Sequence, residues 1–69
     1  MNKKLAAAVG KRIVEERKSQ GLSQDKLALL AEIDRSYVGR IERGEVNITL
    51  EKLYELAKTL GCDAKALLP

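Results

Sequence analysis

The chain has 69 residues, 45% apolar and 33% charged, with a net charge of +3, one cysteine and no histidine. This length makes one small domain that buries only about 60% of the surface its unfolded chain exposes, so a partner subunit would help it. The composition excludes a disordered tail, the short apolar run Leu5–Val9 argues against a signal peptide or membrane span, and the lone Cys62 excludes an internal disulfide.

Apolar residues recur every three or four positions and no stretch alternates as a half-buried strand would, so the expected class is all-α. Leu5, Val9 and Ile13 mark a first helix over 3–20, stopped by Gly21. Ser23 carries a hydroxyl that can accept an unpaired amide ahead of a second helix, 24–31, along Leu27, Leu30 and Ala31. Asp34 is expected to do the same for a third, 35–43, with Val38 and Ile41 inward and Gly44 following. Thr49 opens a fourth, 50–60, along Leu53, Leu56, Ala57 and Leu60, closed by Gly61; Asp63 opens a short fifth, 64–68. The expected fold is a five-helix bundle in a single domain, 1–69.

Only Glu32, Ile33 and Asp34 separate the second and third helices. So short a link makes them cross steeply, as in a helix-turn-helix, here about 23–43. In that motif the first helix braces across a DNA backbone and the second lies in the major groove.

The segment LSQDKLALLAEIDRSYVGRIERG (Leu22–Gly44) resembles the helix-turn-helix of the phage repressor and Cro-like (XRE-type) family. DRSYVGRIERG followed by NITLEKLYELAKTLG is most similar to the controller proteins of restriction–modification systems. The resemblance covers about Lys11 to Leu68. It implies a lambda-repressor-like bundle that binds a pseudo-palindromic operator as a dimer and regulates transcription. The family usually has glycine where Glu32 stands, because the backbone there is left-handed. A left-handed Glu32 would hold roughly 1 kcal/mol of strain, so Glu32→Gly is expected to raise the melting temperature.

On a helical wheel with Val38 and Ile41 inward, Ser36, Arg40 and Arg43 fall on the opposite face, and Arg35 occupies the first turn. An arginine fork can bond both O6 and N7 of guanine. Arg35 and Arg40 are therefore the expected base readers, assisted by Ser36. On an isolated helix the same residues would be a solvated basic face. Gly39 either lets the backbone approach DNA and gives Arg40 room, or allows close contact with the second helix. Phosphate contacts are expected from Gln24 and Ser23 at the start of the second helix, although capping alone would explain Ser23, and Arg43 and Asn47 resemble backbone-contacting positions of the family. Tyr37 either donates its hydroxyl to a phosphate or packs against the second helix. The resemblance further implies that Arg17 and Glu42 pair to lock the first helix to the third. The alternative is an exposed pair worth under about 1 kcal/mol.

The last two helices, about 50–68, hold more apolar residues than the core needs. Ile48, Tyr54 and Leu68 are the candidate contacts of a homodimer. Cys62 reads as a small buried hydrophobe. Without histidine, and with one cysteine and no glycine-rich phosphate loop, no catalytic, metal or cofactor site is expected. The expected function is a cytoplasmic, nucleoid-associated homodimer that regulates transcription by binding double-stranded DNA, with no membrane or small-molecule ligand. An antitoxin- or adaptor-like interaction module and a nonspecific DNA-coating protein are the alternatives.

Overall fold

The computed structural model describes residues 2–69, which form four α-helices and one 3-10 turn. The helices are α1 (Lys3–Ser19), α2 (Gln24–Ala31), α3 (Arg35–Glu42) and α4 (Leu50–Leu60), and the turn spans Ala64–Leu67. Side chains cap three helix starts. Ser23 Oγ accepts from the Lys26 amide at 3.0 Å and Thr49 Oγ1 from Lys52 at 3.1 Å. Asn2, which the apolar pattern did not single out, accepts from Leu5 at 2.7 Å.

Four expectations need correction. The fifth helix is a 3-10 turn, in which the Ala66 and Leu68 amides bond three residues back to Asp63 and Lys65. Pro69 follows at once and biases Leu68 out of the helical region, and Leu68 is indeed extended at φ −99°, ψ 141°. Asp34 makes no side-chain cap, because the Tyr37 and Val38 amides both take its backbone carbonyl at 3.1 Å. The first and third helices end one residue earlier than expected, with Gln20 and Arg43 as their caps. Leu5 and Leu30 stay exposed, and Ala6 and Ala28 take the buried positions. For Leu5 the reason is drift: steps of four residues rotate about 40° each around a 3.6-residue helix, so the stripe through Ile13 and Val9 has turned outward by Leu5.

The core draws Val9 and Ile13 from α1, Leu27 and Ala28 from α2, Val38 and Ile41 from α3, four residues of α4, and Ala64 and Leu67 from the 3-10 turn. Glu32 closes α2 at φ 58°, ψ 43°, the left-handed conformation anticipated there. It is the one non-glycine residue with positive φ among those described.

One packing detail fixes α3. A Cβ on Gly10 of α1 would lie 2.5 Å from the Ile41 carbonyl oxygen and 2.6 Å from that of Glu42. Real Cβ atoms do not come so close, so the two helices meet backbone against backbone. Just beyond α3, Gly44 sits at φ 74°, and a Cβ there would be 2.7 Å from the Ala7 Cα. Glycine is thus required on both sides of the contact.

Candidate nucleic-acid interface

The inner side of α3 is tied down by a small polar cluster. Arg17 of α1 donates from Nε to Glu42 Oε2 at 2.7 Å and from Nη2 to Oε1 at 3.0 Å. Its Nη1 donates to the Leu22 carbonyl at 2.9 Å, and Gln24 Nε2 donates to Glu42 Oε1 at 2.7 Å. The side chains of Arg17 and Glu42 are only 10% and 3% exposed, so two charges have left water and each is satisfied by the other and by neighbours. One carboxylate thereby joins the end of α3, the body of α1 and the start of α2. No buried side-chain N or O atom among the described residues lacks a partner.

The outer side of α3 is the opposite case. Arg35, Ser36 and Arg40 are exposed, as are Arg43 just past the helix and Asn47 in the following loop. Ser23 is also exposed, with its hydroxyl engaged as the cap of α2. Tyr37 is half-buried and packs against the core. Gln24 donates one amide N–H to Glu42, which leaves its second N–H and its carbonyl oxygen for other partners.

Two of the outer arginines meet carboxylates that the sequence reading passed over. Arg35 Nε lies 3.0 Å from Asp25 Oδ1, and Arg43 donates from Nε to Glu45 Oε2 at 2.7 Å. The hydrogen bond from Arg43 is the main cause that lowers the Glu45 carboxyl, and the same bond raises the Arg43 guanidinium. Arg40 forms no ion pair among the described residues, though its charge adds to the lowering of Glu45. Glu45, two residues after Arg43, was visible from spacing. Asp25 was not, because its pairing with Arg35 depends on how α2 and α3 cross.

Gly39 also has a concrete setting. A Cβ there would meet Arg43 Nη1 at 3.0 Å and Arg35 Nη1 at 3.2 Å. Its neighbours are therefore guanidinium ends, and no atom of α2 is among them, so close packing against the second helix does not explain this glycine. Past the end of α3, an open groove of about 630 Å³ runs between Lys3 of α1 and Arg43, Gly44 and Asn47.

Elsewhere, Ile48 packs against the core and is only partly available, whereas Tyr54 is 64% and Leu68 43% exposed. Leu50, at 73%, is the most exposed large apolar side chain of those described and lies one turn from Tyr54 on α4. Cys62 is half-buried rather than buried. Burial, with help from Glu16 and Asp63, pushes its thiol up, which keeps it protonated. No described helix is long and apolar enough to cross a membrane.

The helix-turn-helix family model (HTH_3) matches residues 13–67, most of the chain. The chain belongs to this helix-turn-helix family. Among its relatives, the control protein C.BamHI of Bacillus amyloliquefaciens is 33% identical over 69 residues, covering 99% of this chain and 85% of the relative. The crystal structure of the restriction-modification controller protein C.AhdI from Aeromonas hydrophila matches with a TM-score of 0.88 at 41% identity, covering 91% of this chain and 96% of that one. The DNA-binding domain of BldD matches over the full length of both chains, with a TM-score of 0.92 and 31% identity. The resemblance noted from Leu22–Gly44 is therefore to the right family and the right relatives.

Proposed function

We infer that this protein is a DNA-binding transcriptional regulator in which α3 enters the major groove. The observation that carries this reading is the division of α3 into two faces: one clamped to α1 through Gly10 and Glu42, the other presenting Arg35, Ser36 and Arg40 to solvent. A helix held rigidly on one side and studded with forked donors on the other suits base-edge recognition. The relatives named control proteins, and the BldD domain described as DNA-binding, agree with it.

In this reading Arg35 and Arg40 take guanine edges and Ser36 adds a contact to a base or phosphate. Ser23, the amino end of α2, Tyr37, Arg43 and Asn47 meet the backbone, and Gln24 can join them through the second N–H of the amide that already donates to Glu42. The molecule measures 27 × 23 × 20 Å, less than the roughly 34 Å between equivalent major-groove positions one DNA turn apart. Reading two half-sites therefore takes two copies. The exposed Tyr54, one turn from Leu50 on α4, and the exposed Leu68 are, with Ile48, the contacts we assign to a two-fold homodimer.

Selection from a pool of randomised duplexes tests the reading, and enrichment of one symmetric sequence is the expected result. Arg40→Ala should then cost about 1–3 kcal/mol on that sequence and relax the preference at one base pair. Arg43→Ala should weaken all duplexes alike and flatten the salt dependence. Failure to enrich any sequence would leave a nonspecific DNA-coating protein or an interaction module in its place.

A further inference from the structure

Arg35, with half of its side chain in water, has two neighbours. Its Nε lies 3.0 Å from Asp25 Oδ1 on the first turn of α2, and its Nη1 rests over Gly39, 3.2 Å from where a Cβ would be. Gly39 is buried beneath this arginine and the Arg43 end that crowds the same spot from the other side. Two cations converging on one glycine repel each other, and each stays in place beside its own carboxylate, Asp25 or Glu45. Removing Asp25 would let the Arg35 fork swing into solvent.

A free arginine has many rotamers, and fixing one costs entropy each time a specific contact forms. Base reading needs the fork in one orientation, whereas a phosphate can be met from many. A group that fixes the fork in advance therefore favours the specific complex over the nonspecific one. We propose that Asp25 and Gly39 are positioning residues for Arg35: the carboxylate holds the guanidinium by its Nε, and the missing side chain at Gly39 provides the surface on which it lies. The inference rests on the DNA-binding reading above, and it assigns to α2 a share in specificity beyond bracing α3.

The test is a double-mutant cycle on the full chain, with Asp25→Ala, Arg35→Ala and the double variant, each measured on the selected duplex and on random duplex. Asp25→Ala should weaken the selected duplex by a factor of about 2–5, the scale that exposed ion pairs deliver. It should not weaken random duplex, and it should relax base preference only at the pair that Arg35→Ala relaxes. The double variant should match Arg35→Ala alone. Asp25→Asn, which keeps the shape and removes the charge, should show the same pattern at smaller size. Additive losses in the cycle, or equal weakening on both duplexes, would overturn the positioning role and leave the DNA-binding reading standing. If the wild-type chain enriches no sequence at all, both fall together.

Discussion

The two sides of α3 use the same residue types to opposite effect. Towards α1 there is a glycine at a close approach, Gly10, and an arginine–glutamate pair, Arg17–Glu42. Towards solvent there is again a glycine, Gly39, and again arginines beside carboxylates, Asp25 and Glu45. On the inner side the atoms facing the glycine are backbone carbonyls that cannot move, and the ion pair is dry. On the outer side they are the ends of flexible side chains, and the pairs are half or more in water. Burial, not residue identity, decides which pair holds the fold and which is free to hold something else.

Four substitutions would break or sharpen that contrast. Glu42→Ala leaves the Arg17 guanidinium buried without its counter-charge and removes the acceptor for Gln24. A loss of about 3–5 kcal/mol in chemical denaturation is expected. A loss under about 1 kcal/mol would mean that the inner pair is no different from the outer ones. Gly10→Ala drives a methyl into the Ile41 and Glu42 carbonyls and should destabilise the fold by about 3 kcal/mol, read by the same denaturation. Gly39→Ala inverts the sign. The new methyl meets only movable guanidinium ends, so the gain in helix propensity of up to about 1 kcal/mol should appear as a higher melting temperature. The same variant should bind DNA less tightly, since the forks lose their seat. Stability that falls instead would show that Gly39 is a packing glycine like Gly10.

The smallest effect belongs to Glu45→Gln, for which thermal unfolding at neutral pH should be indistinguishable from wild type. The sign of the pH dependence follows from the lowered Glu45 carboxyl. Its contribution to stability is present above the ordinary carboxylate range and is lost as pH falls through the depressed folded value. For so exposed a pair, the acid limb of the stability profile should look the same in the variant and the wild type.

Much of the scaffold was legible from periodicity and punctuation, because both are local. Val38 and Ile41 faced inward as their spacing required, Ser23 and Thr49 capped as their hydroxyls allowed, and α2 and α4 ran over the residues expected. The left-handed turn at Glu32 came from the resemblance, not from the residue itself, whose type gives no such hint. What stayed hidden depends on pairs of distant segments. Gly10 looked like any helical glycine until the Ile41 carbonyl was seen against it. Asp34 had the right side chain for a cap but lost the Tyr37 amide to its own carbonyl. Leu30 fitted the stripe of α2 and yet lies on its open flank. For the interface, exposure of Ser36, Arg40 and Arg43 followed from the wheel and Arg35 stood out by its place in the first turn, whereas the carboxylates beside Arg35 and Arg43 did not enter the reading.

The close approach of α1 and the end of α3 is made by main-chain atoms at Gly10 and Gly44, so no projecting group there senses what the far face carries. Replacing Arg35, Ser36 or Arg40 by other polar residues should therefore leave the chassis intact. On the proposed reading, new operator words could then be reached by exchanging these side chains, together with Asp25 wherever Arg35 is changed, without retuning the frame that carries them.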